Sequence, residues 1–369
     1  RLLSNAVEQT ADSVFITDVK GRISYVNPAF TETTGYGREE VLGKTPRILR
    51  SGEHDREYYR KLWRTILAGK VYRSTVVNRK KSGELFFAEQ TITPMKDAAG
   101  VVTEFISVAK DMTEGRRIHE QEIEMRLAAE VQQNLYPREL MRVPGFDIAG
   151  AVYSAEATCG DYFDILRVGD EAIGIAIGDV SGHGLGPALV MAQTRAYLRS
   201  FVRTGWQLGE ILEGVNAALV DDLRNRMFVT LLFACIDLPT RRLVYASAGH
   251  TPCYVLDARG DIKHVLAGTG TALGVSPSSA YQQGEEVTLE PGDMLAFFTD
   301  GVTETRSHDG RLFEAEGALA VVRAHRHESS KAILDHIHEA IVAFRASPTQ
   351  PDDITMVVCK LDAASAASG

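Results

Sequence analysis

Residues 172–186 read AIGIAIGDVSGHGLG, an apolar run that ends in an aspartate and a glycine-rich turn. The run is short, contains β-branched isoleucines and is followed by turn-forming residues, which is typical of a buried strand. Asp179 is the last residue of this strand pattern. Because the backbone of a strand is rigid, a carboxylate at its end is aimed at whatever lies beyond the sheet edge. The stretch therefore predicts a functional carboxylate at the edge of a sheet.

Three more aspartates lie next to strand patterns in the same way. Asp161 stands in CGDYFDI, Asp300 ends MLAFFTD, and Asp352 begins the strand pattern of PDDITMVV. Any one of them alone would equally suit a turn, where aspartate is common. If the strand ends converge, their carboxylate and carbonyl oxygens are the ligands that Mg²⁺ and Mn²⁺ prefer. Two such ions could share a hydroxide and clamp a phosphoryl group for in-line attack on phosphorus.

These aspartates belong to motifs in a fixed order, namely GD-x-F, D-x-S-G-H-G, F-F-T-D-G and D-D-I-T-M-V-V. The segments VQQNLYP, ASAGHTP and TALGV accompany them. With these motifs the chain from about residue 130 to 362 resembles the PPM family of metal-dependent protein phosphatases, in its bacterial SpoIIE/RsbU branch. The resemblance implies an αββα sandwich with two Mn²⁺ or Mg²⁺ ions at one edge of the central sheets.

The resemblance also implies a role for each motif residue. Asp179 would bridge both ions, and the backbone carbonyl of Val180 would bind one of them. Asp161 would hold the second ion, directly or through water, while Asp300 and Asp352 would complete the first. Asp179 and Asp161 are accordingly expected to be catalytic as well as metal-binding.

Five residues near these ligands are candidates for supporting roles. Asp353 is expected behind the ligand set, and Gly182 and Gly184 are expected to let the backbone approach the ions closely. His183 is the candidate general acid for the leaving serine oxygen, with a hydrogen bond to its own loop as the alternative. His250 in SAGH is expected to pack or to form a hydrogen bond. No certain phosphate-binding arginine is visible.

The bulk composition excludes several classes of protein. The chain has 369 residues, 44% of them hydrophobic, and a formal net charge of −9, which argues against a nucleic-acid binder. No apolar run approaches the roughly 18 residues of a membrane span, and no signal peptide is visible. We therefore expect no membrane contact and a cytoplasmic location. No C-x-x-C pair occurs, and all four cysteines are expected to be reduced thiols, namely Cys159, Cys235, Cys253 and Cys359.

The N-terminal region has a different pattern of elements. Two strand candidates, VFITD and ISYVN, precede a helical middle and a meander of YRSTVVNRK, ELFFAEQTITPMKD and VTEFISVAKD. This order predicts one antiparallel sheet with helices over one face. The stretches DSVFITDVKGRISYVNPAFTETTGY, GKTPRILRSG and DMTE resemble a PAS sensor domain. The ligand is unknown: no cysteine is available for a flavin adduct, and His54 is expected on a solvated turn rather than on a haem.

Residues 113–138 read as a signalling helix that Pro137 ends, because glycine and proline nearly vanish there. An apolar stripe recurs every four residues along it, at Ile123, Leu127, Val131 and Leu135. Such a stripe must be buried somewhere. We expect a homodimer through this helix, through the PAS domain or through both, with packing on the next domain as the alternative.

The sequence thus predicts an α+β protein with a PAS domain at 1–112, the signalling helix at 113–138, a phosphatase sandwich at 139–362 and a disordered tail at 363–369. By analogy with the resembled family, the expected activity is signal-regulated hydrolysis of phosphoserine or phosphothreonine. The expected substrate is a phosphorylated STAS-type antagonist of an anti-sigma factor. The helix is expected to transmit the signal by moving the segment around Asp161.

Two other functions compete with this prediction. A sensor histidine kinase would use His119, but no proline-containing phosphoacceptor motif follows that residue and no asparagine-bearing ATP-binding helix is evident. A pseudoenzyme that only binds its partner would be expected to lack some of the metal-binding aspartates, whereas all four are present.

Overall fold

The structure is a computed structural model that describes residues 2–137, 141–205, 207–223 and 226–362. The chain divides into two compact units, residues 1–123 and 124–369, which are described separately. The tail predicted to be disordered, residues 363–369, lies outside the described residues. No helix in the described part is long and apolar enough to cross a membrane.

The first unit contains the predicted antiparallel sheet, with the strand order β2-β1-β5-β4-β3. The strands are β1 (Ser13–Asp18), β2 (Ile23–Val26), β3 (Tyr72–Arg79), β4 (Leu85–Lys96) and β5 (Val102–Asp111). The helices are α1 (Leu2–Glu8), α2 (Pro28–Thr34), α3 (Arg38–Val41) and α4 (Arg56–Leu67), with a 3₁₀ turn at Pro46–Leu49. The predicted hairpin and three-stranded meander are both confirmed.

Local hydrogen bonds explain where these elements begin. Asn27 is buried, caps α2 through the amide of Phe30 and also accepts a hydrogen bond from the amide of Val14. In the β1–β2 turn, Gly21 has a φ of 77° and lies against the Trp63 ring, which a Cβ would approach to 2.8 Å. Only glycine combines that backbone angle with that contact.

A long helix, α5 (Thr113–Gln133), follows the PAS-like sheet. It ends four residues before Pro137, because bonds from Asn134 to Val131 and from Leu135 to Gln132 tighten its last turn. Within the single chain, the stripe residues Ile123, Leu127 and Val131 are 44%, 56% and 66% exposed. Leu135 packs on the core of the second unit. Three of the four stripe positions therefore remain open to solvent in one chain.

The second unit is built from two five-stranded antiparallel sheets. Sheet I has the order β13-β10-β9-β8-β7 and sheet II the order β12-β11-β14-β15-β6. The strands of sheet I are β7 (Tyr162–Val168), β8 (Ala172–Val180), β9 (Val229–Asp237), β10 (Arg242–Ala248) and β13 (Val287–Thr288). Those of sheet II are β6 (Phe146–Tyr153), β11 (Cys253–Leu256), β12 (Ile262–Leu266), β14 (Met294–Phe298) and β15 (Ile354–Leu361).

Helices cover the outer face of each sheet and complete the predicted αββα sandwich. The helices α6 (Leu185–Val202) and α7 (Leu208–Leu223) pack on sheet I. The helices α9 (Glu314–Ala324) and α10 (Ser330–Phe344) pack on sheet II, and the short α8 (Asp300–Thr303) follows β14. The mixed α/β fold class expected from the sequence is confirmed.

The stretch AIGIAIGDV forms β8, a strand inside sheet I, and its alternating residue sizes explain how it packs. The isoleucines of β8 point into the core between the sheets, whereas its alternate positions carry glycine or alanine towards the helices. A Cβ at Gly174 would lie 2.6 Å from the Phe233 ring, and one at Gly178 would lie 2.5 Å from the carbonyl oxygen of Thr230. Larger residues on that side would push the neighbouring strand and helix layer away.

Candidate active site

Two aspartates from each sheet meet at one edge of the sandwich. Asp161 directly precedes β7 and Asp179 lies near the end of β8, both in sheet I. Asp300 is the first residue of α8, immediately after β14, and Asp352 precedes β15, both in sheet II. We call these four residues the carboxylate edge. Each lies where the sequence predicted a strand end, although Asp300 opens a short helix rather than a turn.

Burial and the charges of neighbouring acids raise the pKa values of three of these side chains. Burial, followed by the negative charges of Asp300 and Asp352, raises the pKa of Asp179 to about 7. Burial and the charge of Asp179 raise the pKa of Asp161 well above its ordinary value. Burial is also the largest cause of the raised pKa of Asp352, to which Asp300 contributes. The charges of Asp300 and Asp352 therefore disfavour ionisation of Asp179, and the charge of Asp179 disfavours ionisation of Asp161.

The chemistry of this donor set fits divalent cations. Among the groups that most influence the pKa values of Asp161, Asp179 and Asp352, every charged one is acidic. Carboxylates that are gathered without a positive partner are costly, and a bound metal ion would supply that partner. The groups that could hold such ions are the side chains of Asp161, Asp179, Asp300 and Asp352, together with the carbonyl of Val180.

A close backbone approach brings Val180 into this set. A Cβ at Gly160 would lie 3.0 Å from the Val180 carbonyl oxygen and 3.5 Å from Oδ1 of Asp179. Any side chain at position 160 would therefore fill the space beside two of the predicted ligand atoms. The glycine of the G-D motif thus keeps the Asp161 segment close to the end of β8.

Asp353 has a different role from Asp352. The buried Asp353 carboxylate accepts hydrogen bonds from the amides of Ala155 and Gly160, each at 2.8 Å. It therefore fastens the loop that leads into Asp161. The carbonyl of Asp353 lies only 1.9 Å from where a Cβ of Gly301 would be, so that position cannot carry a side chain without displacement.

The loop after β8 carries His183 on the protein surface. The side chain of His183 is 81% exposed, and its Nδ1 lies 3.0 Å from Oε1 of Glu156. Gly182 and Gly184 have φ angles of 93° and 89°, and an added Cβ would meet nothing closer than 3.7 Å. The backbone angle at each position favours glycine, and the predicted close approach to the ions stays a prediction.

His250 is a buried residue of the sandwich. Its Nδ1 lies 3.0 Å from Oγ1 of Thr230, and burial lowers its pKa to about 4. The imidazole is therefore neutral at physiological pH. This agrees with the packing and hydrogen-bonding role expected for it.

The structure adds contacts to Asp161 to which the sequence analysis assigned no role. The Gln132 side chain exchanges two hydrogen bonds with the backbone of Cys159, and the Tyr136 hydroxyl donates to the Asp161 carbonyl at 2.8 Å. We call Gln132 and Tyr136 the linker clamp. The side chain of Asp161 is held as well, because the Thr299 hydroxyl donates a hydrogen bond to its Oδ2 at 2.9 Å. The sequence held a signal for these contacts, because Gln132 and Tyr136 belong to the motif VQQNLYP and Thr299 belongs to FFTDG.

A cleft of about 500 Å³ opens beside Val180. Its lining is Ser181, Arg226, Met227, Phe228, Gly274 and Val275. Phe228 and Val275 are 45% and 49% exposed, so the cleft has an apolar rim. Arg226 supplies a cation that the sequence analysis did not single out.

The PAS-like unit encloses a separate cavity of about 390 Å³. Arg47, Arg50 and Arg56 line it together with aromatic residues that include Trp63. His54 does not stand on a solvated turn as predicted. It is half-buried, stacks on Tyr58 and accepts a hydrogen bond from the Val77 amide through Nε2, because the following helix packs it against β3.

Comparison with protein families gives two matches along the chain. Residues 169–362 match the family described as Stage II sporulation protein E (SpoIIE). Residues 1–112 match the PAS fold. The order of the two matches is that expected from the motifs.

Individual relatives agree with these matches. The phosphoserine phosphatase RsbU of Bacillus subtilis is 30% identical over 237 residues, which cover 64% of this chain and 70% of RsbU. A structure of the RsbU and RsbW domains of a Mycobacterium tuberculosis protein aligns with a TM-score of 0.50 at 27% identity, covering 60% of this chain and 61% of that one. The SiaA-PP2C domain of Pseudomonas aeruginosa shares the fold, with a TM-score of 0.59 at 20% identity over 68% of this chain and all of that domain.

Proposed function

This chain belongs to the SpoIIE family of phosphatases and carries a PAS domain ahead of the phosphatase, and we propose that it removes phosphate from phosphoserine or phosphothreonine on a partner protein in response to a signal. Phosphatases of this type depend on metal ions. The observation that carries the proposal is the meeting of Asp161 and Asp179 from sheet I with Asp300 and Asp352 from sheet II.

We infer that two Mn²⁺ or Mg²⁺ ions occupy the carboxylate edge. Asp179 is the central residue, because it interacts with Asp161 on one side and with Asp300 and Asp352 on the other. This position supports its role as the bridging ligand, with the Val180 carbonyl beside it. When bound, the ions would supply a nucleophilic water and positive charge for the phosphoryl group. The protein's own part is to hold the ionised carboxylates in place and to exclude competing side chains.

We further propose that His183 donates the proton to the leaving serine or threonine oxygen. Its imidazole is exposed at the loop that follows Asp179, and its Nδ1 lies 3.0 Å from Oε1 of Glu156. The variant His183→Gln should lower kcat for a serine phosphomonoester with a poor leaving group, and much less for an aryl phosphate with a good one. Equal losses on both substrates would instead indicate that His183 only orders its loop.

A phosphoprotein substrate of the STAS type is the partner that we propose. The relative RsbU is a phosphoserine phosphatase, and the cleft beside Val180 joins a cation, Arg226, to an apolar rim at Phe228 and Val275. Such a surface suits a protein segment that presents a phosphorylated side chain. Arg226→Ala should raise KM for the phosphoprotein more than for a small aryl phosphate.

We propose that the PAS domain binds a small ligand and acts through α5. The cavity lining of three arginines and several aromatic side chains suits a ligand with a flat apolar part and negative charge. The end of α5 reaches the active site directly, because the linker clamp holds the backbone of Cys159 and Asp161. A ligand-dependent shift of α5 would therefore move the Asp161 segment and change its hold on the second ion.

The exposed stripe on α5 supports a homodimer in which two copies of the helix pack together. Ile123, Leu127 and Val131 are all more than two-fifths exposed in one chain, and a second copy would bury all three. The four free thiols are compatible with the reducing cytoplasm, which we propose as the location.

The direct test is phosphate release by the full chain from an aryl phosphate and from a phosphoserine-bearing STAS-type protein, with Mn²⁺, with Mg²⁺ and with EDTA. We expect release that needs added metal, and a larger kcat/KM for the phosphoprotein. Release that persists unchanged in EDTA would contradict the metal-dependent mechanism. Release from neither substrate by folded, metal-loaded protein would favour a partner-binding pseudoenzyme.

A further inference from the structure

A second group of metal-binding side chains lies at the corner between α9 and α10, on the outer face of sheet II. Nδ1 of His325 is 2.8 Å from Oε1 of Glu328, and Nε2 of His336 is 3.2 Å from Oε2 of the same carboxylate. One ligand atom from each residue lies within 4.8 Å of the other two. We call His325, Glu328 and His336 the histidine corner.

Rigid elements hold each member in place. His325 caps the C-terminus of α9 through a hydrogen bond from its amide to the Val321 carbonyl, and His336 lies within α10, which Ser329 caps. The Glu328 amide donates to the His325 carbonyl at 2.9 Å, and its own carbonyl accepts a hydrogen bond from Lys360 of β15. A ligand set that is fixed by two helices and a strand needs little ordering when an ion binds.

The two imidazole rings and the carboxylate converge on one small space. The two rings stack with centroids 3.8 Å apart and planes inclined by 24°, and both direct a nitrogen at one carboxylate. One cation between the three groups would accept both nitrogen lone pairs and balance the carboxylate charge.

The surroundings of His336 match a metal ligand as well. Its second ring nitrogen, Nδ1, lies 3.6 Å from Oε2 of Glu339, one turn further along α10. A carboxylate on the far nitrogen commonly orients a metal-bound histidine and increases its basicity. The side chains of His325 and His336 are each 34% exposed, so water has access to complete the coordination.

We propose that His325, Glu328 and His336 form a binding site for a borderline transition-metal ion of the Zn²⁺ class, separate from the active site. Two imidazole nitrogens and one carboxylate oxygen are a set that Zn²⁺ and Co²⁺ prefer, whereas the all-oxygen carboxylate edge suits Mg²⁺ and Mn²⁺. An ion at this site ties the end of α9 to α10, the two helices that cover sheet II. Its effect is on the stability of the sandwich and not on the chemistry of phosphate release.

The test uses the full chain with the substitution Asp179→Asn, which weakens metal binding at the active site, and titrates it with Co²⁺. We expect one tight equivalent with the intense visible absorption of a low-coordinate nitrogen-bound Co²⁺ ion, which Zn²⁺ then displaces. An ion held only by the remaining active-site carboxylates would give the much weaker absorption of oxygen ligation and would overturn the proposal.

Matched histidine substitutions complete the test. His336→Gln should abolish the intense absorption and the rise in melting temperature with Zn²⁺, which we expect to be about 3 °C or more. His327→Gln changes an exposed histidine two residues from His325 and should leave both signals intact. An unchanged signal in His336→Gln, or its loss in both variants, would overturn the assignment. When Asp179 is intact, the His336→Gln variant should show the same Mn²⁺-dependent phosphate release as the parent.

Discussion

The carboxylate edge and the histidine corner both gather side chains of metal-binding types, but the charge of the two sets differs. At the edge, burial and then the charges of neighbouring acids raise the pKa values of Asp161 and Asp179. At the corner, two histidines face one carboxylate, and all three side chains are at least one-third exposed. The first set is repulsive without a cation, whereas the members of the second are already joined by hydrogen bonds.

This difference indicates how each site relates to folding. Strands of both sheets bring the acids together, so we expect the carboxylate edge to lower the stability of the protein without metal. The corner is placed on helices at the surface, where losing the ion leaves an ordinary hydrogen-bonded cluster. Substitutions should therefore have opposite consequences at the two places, with large effects on activity at the edge and small effects on stability at the corner.

The largest effect is expected from Asp179→Asn. Neutralising the central carboxylate should lower Mn²⁺-dependent kcat by at least about 100-fold, because it removes the residue that faces both halves of the edge. Steady-state phosphate release measures this. The control is Asp170→Asn, which changes an exposed acid in the β7–β8 turn and should keep the parent rate. Similar rates for the parent and both variants would place the metal centre elsewhere.

Gly301→Ala is expected to have the next largest effect. The new methyl group would meet the Asp353 carbonyl, so the backbone between Asp300 and Asp352 must shift. We expect a loss of about 1–3 kcal/mol in the free energy of unfolding, measured by denaturation, together with weaker Mn²⁺ binding. Gly115→Ala in α5, where a Cβ meets nothing within 4 Å, should be neutral or slightly stabilising. A fully stable and active Gly301→Ala protein would show that the two strand ends are not tightly coupled.

Gln132→Ala tests the linker clamp at the edge. Removing the amide leaves the buried backbone groups of Cys159 without their partners, which should cost about 1–3 kcal/mol. Because Cys159 lies next to the Asp161 turn, the Mn²⁺ concentration needed for half-maximal activity should rise several-fold. Gln133→Ala, at an exposed neighbouring position, is the matched control. An unchanged metal requirement in Gln132→Ala would contradict signal transmission through this contact.

Leu127→Glu should have the smallest effect on the edge itself. A charge in the middle of the exposed stripe should shift the protein from dimer to monomer in sedimentation velocity experiments, without changing the metal requirement of the basal activity. Glu124→Gln, on the same helix but outside the stripe, should leave the dimer intact. A parent protein that is already monomeric at high concentration would contradict the homodimer.

Local sequence patterns were sufficient to predict much of this architecture. The strand patterns that contain Asp179 and Asp300 or flank Asp161 and Asp352 were all found, because burial and turn residues leave a strong local signal. The strands β12 and β13 and the helices α8 and α9 were not predicted. α9 contains Gly317 and begins at Glu314 with a φ of 56°, so its start lacks the usual cap signals.

Contacts between distant segments could not be predicted in the same way. The linker clamp joins Gln132 to Cys159 across 27 residues, and the Thr299 hydroxyl reaches Asp161 across 138. Each of these side chains has an ordinary local sequence environment, and only the fold gives it a partner. The histidine corner was also missed, because His325 and His336 lie on different helices and come together only when α9 and α10 pack side by side.

The central claim is that the acids of the carboxylate edge repel one another until a cation binds. It is tested most directly by the melting temperature of the parent and of Asp179→Asn, each with EDTA and with Mn²⁺. In EDTA we expect the variant to melt about 3 °C or more above the parent, because one repelling charge is gone. Mn²⁺ should raise the melting temperature of the parent and have little effect on the variant. A variant that melts below the parent in EDTA, and that Mn²⁺ stabilises equally, would contradict the claim.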